Sequence, residues 1–154
     1  MISTGIMTLT EIPSWKRWGL RGVFEWHENQ VLTDLLLRRI SNRSSREKKK
    51  DGTVHFKGIF LLHFLNGIIA GIAYPFLAYA DLLTFRVSDF VLTYLLGMLY
   101  GLALWLLTLL PIHKPITGFS PWNHPFGRFP AVASLAGHIA YGIVLGTFVG
   151  IFIK

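Results

Sequence analysis

Three long stretches almost without charge constrain this chain more than any other feature of its 154 residues. They run from about Gly58 to Tyr79, from Phe90 to Ile112 and from Ala131 to Ile153. Each is 22 or 23 residues long, and at about 1.5 Å per residue that is enough to cross about 30 Å of hydrocarbon. Hydrocarbon offers no partner to a backbone N–H or C=O, so segments of this kind must be helices. The predicted fold class is an all-α membrane protein, with three transmembrane helices preceded by an amphipathic, basic N-terminal helix.

Charge divides the chain in two. Residues 1–57 hold 11 of the 15 Lys and Arg and 6 of the 8 Asp and Glu. This predicts a cytoplasmic N-terminal region at 1–57, with an interfacial helix and a basic linker, and a three-span membrane domain at 58–154. With the N-terminus inside, Lys114 and Arg128 join the cationic side and leave only Arg86 and Lys154 outside. The positive-inside rule then puts the N-terminus in the cytoplasm and the C-terminus outside, in a multi-pass protein of the cell (inner or cytoplasmic) membrane. No charged start precedes a long apolar core in residues 1–13, so the first span is expected to act as an uncleaved signal. The chain has no cysteine, which excludes disulfides, thiolate metal sites and a cysteine nucleophile.

The N-terminal region carries its own pattern. Residues 1–13 are expected to be loose. Trp15, Lys16, Arg17 and Trp18 mix aromatic rings with cations, as membrane–water interfaces do. Residues 20–40 set Leu20, Val23, Phe24, Val31, Leu32, Leu35, Leu36 and Ile40 between charges. They predict an imperfectly amphipathic helix lying on the membrane surface or on a partner. Arg38, Arg39, Lys48, Lys49 and Lys50 belong to a basic cluster that directly precedes a span, which suits anionic lipid headgroups rather than nucleic acid. Between the second and third spans, 113–130 is rich in Pro and aromatic residues. It is expected to be a non-helical loop folded onto the interface.

Two spans repeat a pattern, H-x-x-[NY]-G-x-x-x-G. His63, Asn66, Gly67 and Gly71 carry it in the first, and His138, Tyr141, Gly142 and Gly146 in the third, with Gly150 one step further. Gly97 and Gly101 echo it in the second span. Four-residue spacing lines these glycines along helix faces that close packing between helices would use. Pro75 is expected to kink the first span, with the freed carbonyl near Gly71. Asp81, near Arg86 and Asp89, reads as an interfacial residue.

The histidines are more specific, because ionisable groups within a membrane are rare and tend to be functional. His63 and His138 fall at matched depths, and His113 and His124 lie in the connection on the same side. The pair can hydrogen-bond across helices, handle protons, ligate haem b axially, or join His113 and His124 around a divalent metal. No motif demands a resident cofactor.

From Gly97 to Gly146 the chain resembles the YagU-like group of small inner-membrane proteins. The resembling elements are Gly97-Met-Leu-Tyr-Gly101, Pro111 at a helix end, Pro115-Ile-Thr-Gly118-Phe-Ser-Pro121 followed by Trp122, and Gly137-His138. The basic N-terminal region and the three-span plan depart from that group. The resemblance implies a multi-span membrane protein and transfers no catalytic residue.

No acid–base pair, nucleophile or phosphate loop is expected. The expected function is therefore a non-catalytic accessory or structural subunit of a larger membrane complex, of respiratory or oxidase type, with lipid and integral-membrane proteins as partners. A haem- or metal-binding protein using His63 and His138 is the first alternative. A homo-oligomeric channel or transporter is the second.

Overall fold

The computed structural model describes residues 1–41, 54–79 and 90–152. Lys48, Lys49 and Lys50 of the basic cluster lie outside the described residues, as do Asp81, Arg86 and Asp89. Every element among the described residues is helical: α1 Ile2–Trp18, a short 3-10 turn Leu20–Gly22, α2 Phe24–Ser41, α3 Phe56–Tyr79, α4 Phe90–Leu107, a π-helical turn Thr108–His113, α5 Lys114–Thr117 and α6 Phe129–Phe152. Three stretches are long and apolar enough to cross a membrane, at Phe56–Leu77, Val91–Thr117 and Phe129–Phe152. That is the layout of a multi-pass membrane protein. The outer faces of these helices expose Leu61, Ile69, Ile72, Phe76, Leu99 and Phe152, as contact with lipid requires.

The tightest packing joins α4 to α6, and its cause is the absence of side chains. A Cβ on Gly97 would collide with the carbonyl oxygen of Gly142, and one on Gly101 with that of His138. A Cβ on Gly146 would lie 2.6 Å from the Thr93 carbonyl oxygen. The backbones touch because nothing stands between them. The matching glycines of α3 do different work. Gly67 receives the side chain of Thr4 from α1, and Gly71 faces the Tyr141 hydroxyl, 3.2 Å from where a Cβ would be. Gly150 is half-buried on α6. One linear pattern therefore serves helix–helix contact in α6 and seats a separate helix in α3.

That separate helix corrects the expectation that 1–13 is loose. Residues 2–18 form α1, which runs antiparallel to α3 and α6. Thr4 meets Gly67, Thr8 Oγ1 is 3.1 Å from His63 Nε2, and the Trp15 and Phe56 rings are 6.1 Å apart. Trp18 stacks on Phe129 at 5.9 Å. Because Gly67 lies 11 residues into α3, α1 reaches about 16 Å along the spans. It buries Ser3, Thr4, Met7, Glu11 and Ser14 and leaves Ile2 and Leu9 on the outer surface.

α2 crosses the end of the bundle from which α1 enters, called here the arm end. Gly22 through Gln30 are buried, so the first turns of α2 belong to the core. Val23 and Trp26 pack on Ile59, and Phe24 packs with Leu109 and Ala131. Lys16, Arg17 and Arg39 are exposed, and the Arg17 guanidinium lies 5.2 Å from the Trp18 ring centre.

The connection after the second span is also more helical than its prolines suggest. α4 continues through a π-helical turn that contains Pro111. Proline has no N–H to give to the preceding turn, and the wider π register absorbs that loss. Pro115 sits in the first turn of α5, where no N–H is needed. The helix ends at Gly118, whose φ of 78° is a left-handed cap.

Candidate functional site

Five helical segments send ionisable or hydroxyl side chains to one buried place near the arm end. α1 contributes Glu11, α2 contributes Glu25 and Glu28, and α3 contributes His63. The π-helical turn contributes His113, and α6 contributes Ser134 and His138. Glu11, Glu25, Glu28, His63, His113, Ser134 and His138 are all buried, with Glu11 and His113 at 1% and 0% exposure.

Each carboxyl meets an imidazole. Glu28 Oε1 and His113 Nδ1 are 2.8 Å apart. Glu25 Oε1 lies 3.5 Å from His138 Nδ1 and accepts a hydrogen bond from the Ser134 hydroxyl. Glu11 Oε2 lies 3.8 Å from His63 Nε2 and accepts the indole N–H of Trp26 at 2.7 Å. His138 Nδ1 also bonds the Ser134 carbonyl oxygen, at 2.9 Å.

Burial and proximity set the protonation of the carboxyls. Burial raises Glu11 well above the usual carboxylate range, and the neighbouring charge of Glu25 raises it further. Burial, then Glu25, pushes Glu28 up to about 9. Glu25 is driven upward by burial, yet His138, the Ser134 hydroxyl and its other hydrogen bonds outweigh that, and it lies below its ordinary value. The cluster thus favours the protonated form at Glu11 and Glu28 and the ionised form at Glu25. Glu11 Oε1 and Glu25 Oε2 have no hydrogen-bond partner among the described residues. The two carboxyls act on each other, Glu25 raising Glu11 and Glu11 lowering Glu25. Like charges at close range cannot both persist in a site of low dielectric, and protonating one of them removes the conflict.

A cavity of about 340 Å³ adjoins the cluster. Glu25, Glu28, Asn29 and Leu32 of α2 form its roof, being one helical face at positions i, i+3, i+4 and i+7. His63 and Asn66 line one wall, His138 and Tyr141 another, and Leu104 and Ile112 close the α4 side. The Tyr141 hydroxyl donates to the Gly67 carbonyl oxygen at 2.7 Å, which ties α6 to α3.

The four sequence-predicted histidines separate into two groups. His63 and His138 share the cavity wall. His113 and His124 instead flank Phe24, with ring centres 4.0 and 5.4 Å from it. His27 joins this second group, 6.5 Å from His113. Burial, then His113 and Arg21, holds His27 down to about 4, and the same causes in the same order lower His124. Among the described residues, no three His, Asp or Glu side chains are arranged to hold a metal ion.

The three glutamates are the residues that sequence reasoning missed as site members. Glu11 lay in a segment expected to be loose, and Glu25 and Glu28 read as the polar face of a surface helix. One signal was present: Glu25, Glu28, Asn29 and Leu32 share a face that is polar at one end and apolar at the other. The expectation that the chain holds no acid–base pair is corrected here. The pairs exist, but they join residues 52, 85 and 113 positions apart, beyond any linear motif.

Comparison with known proteins finds no matching family model, no matching curated protein and no matching solved structure. The chemistry of the site itself must carry the functional argument.

Proposed function

We propose that this protein is a proton-exchanging membrane protein, which stores protons on Glu11 and Glu28 and hands them through the carboxylate–imidazole pairs to whatever occupies the adjoining cavity. The observation that carries this reading is the Glu11–Glu25 pair, two buried carboxyls each within 3.8 Å of an imidazole, that of His63 or His138. Such a pair is costly to bury, and a site that kept it only for packing would be more stable with apolar residues of the same shape.

The same wall would serve the paired-histidine reading, with haem b or a divalent metal on His63 and His138. Their existing partners, Thr8 and Glu11 for one ring and Ser134 and Glu25 for the other, favour proton exchange. The accessory-subunit reading draws on the apolar outer faces, which lipid covers as well as a protein would. A cytoplasmic arm end fits the charge asymmetry of the sequence.

Infrared difference spectroscopy on the purified protein in lipid nanodiscs tests the proposal. A carbonyl stretch of protonated carboxyl groups at pH 7 is expected, reduced in Glu11→Gln and again in Glu28→Gln. A wild-type spectrum with only ionised carboxylate bands would overturn it.

A further inference from the structure

The cavity has features that proton exchange alone leaves unused. Its lining carries two carboxyls and no Lys or Arg, so an anionic headgroup would be repelled. Thr4 lines it at 1% exposure, with a hydroxyl that has no partner among the described residues. Asn66 lines it too, an exposed polar residue on a helix long and apolar enough to span the membrane. A polar side chain at lipid depth is unfavourable unless a polar group meets it.

The route in is lateral. α3 and α4 are joined toward their far ends by Tyr74 donating to the Thr93 carbonyl and Tyr100 donating to the Ala70 carbonyl, both at 2.7 Å. Nearer the arm end the cavity separates them, and its wall reaches the outer surface at Asn66 and Ile112. Both residues lie within stretches long and apolar enough to cross a membrane, so a molecule dissolved in the bilayer could reach the opening from the side. A volume of about 340 Å³ is at the small end of the range for ligand sites, roughly 300–1,000 Å³. That room suits a headgroup and the first part of a chain, with the remainder left in lipid.

We propose that the cavity binds a membrane-dissolved amphiphile with a protonated amine head, which enters between α3 and α4 and displaces a proton from the carboxyl cluster. The ammonium N–H groups donate to Glu25 and to the Asn66 amide oxygen, and the chain lies along Leu104 and Ile112. As the cation arrives, Glu11 or Glu28 loses its proton to water, so one positive charge enters as another leaves and the net charge of the site is unchanged. The groups facing this exchange are Glu11 of α1, Glu25 and Glu28 of α2, His63 of α3, His113 of the π-helical turn and His138 of α6. This inference rests on the proton-exchange reading, because a cluster without stored protons has none to give up.

Dodecylamine, dodecanol and dodecanoate carry chains of nearly equal length with a cationic, a neutral and an anionic head. Each is added to the full-length protein in zwitterionic nanodiscs at pH 7 in weak buffer, and a pH indicator reports protons released beyond those from empty nanodiscs. Saturable release with the amine, on the order of one proton per chain, and none with the alcohol or the acid is expected. The double variant Glu11→Gln/Glu28→Gln is expected to release none. Leu104→Trp, which fills the cavity, is expected to lose the release while keeping the infrared band of protonated carboxyls. Leu99→Trp, on the exposed face of α4, is expected to keep both. Absence of saturable release in a wild-type protein that shows the carboxyl band would overturn the amine site and leave proton exchange standing. Equal release with dodecanol would also overturn it. Absence of the band would remove the proton-exchange reading itself.

Discussion

Glu28 Oε1 and His113 Nδ1 lie 2.8 Å apart although 85 positions separate them in the chain. Pro111 and the π-helical turn around it bring His113 to this place, and the first turns of α2 bring Glu28. Whichever partner carries it, one proton lies between them.

Stability should fall between pH 6.5 and 9, because Glu11 is raised and so is Glu28. Its folded value of about 9 is raised above its ordinary 4.5, so the unfolded chain loses this proton first. The stabilisation is full below about 4.5 and is lost as pH rises through about 9. His27 acts in the opposite sense, because its value falls from 6.5 to about 4. It adds stability as pH climbs through that window and changes nothing above 6.5. Thermal unfolding in detergent across pH 6.5–9 should show a decline that Glu28→Gln makes shallower, with Glu11 supplying the remainder. An unchanged slope in the variant would place the titration elsewhere.

Gly142→Ala should cost about 1–3 kcal/mol, the usual range for forcing extra volume into a packed interface. The added Cβ meets the Gly97 carbonyl oxygen, which is backbone and cannot step aside. Gly71→Ala should cost much less, since its nearest neighbour is the Tyr141 hydroxyl at 3.2 Å. Unfolding titrations of the two variants side by side check the contrast.

Trp26→Phe should raise the titration of Glu11 still further. The indole N–H donates to Glu11 Oε2 at 2.7 Å and favours the ionised form, against the burial that disfavours it. The protonated-carboxyl band should then persist to higher pH in the variant than in the parent. A shift in the other direction would contradict the hydrogen bond.

The insertion of α1 can be read by chemical labelling, because the chain has no cysteine of its own. Lys16→Cys should react readily with a charged, membrane-impermeant maleimide applied to both sides of the bilayer. Ile2→Cys should resist it, although Ile2 is 59% exposed, because its surroundings are lipid. Equal labelling of the two positions would show that α1 lies in water.

What the sequence by itself determined follows from solvent. Three stretches too apolar for water and long enough for a bilayer had to be helices, since only helices satisfy their own backbone there. Their placement from sequence differs from the structure by a few residues at most ends. The second span extends furthest, to Thr117. The glycines were likewise legible as sites of close approach, although not which would meet a backbone and which would receive Thr4.

What only the tertiary structure decided is where the charged arm goes. Glu11, Glu25 and Glu28 are ordinary surface residues by composition, and beyond the shared face of Glu25, Glu28, Asn29 and Leu32 nothing in their local sequence announces burial. They are drawn inside because α1 fits the groove that Gly67 and Gly137 leave open and because Val23, Phe24 and Trp26 bury apolar surface on the spans. The matched imidazoles of α3 and α6 needed polar partners, and those partners lay dozens of residues away. Pairings at that distance depend on how helices pack, so the site exists only once the arm has folded back into the bundle.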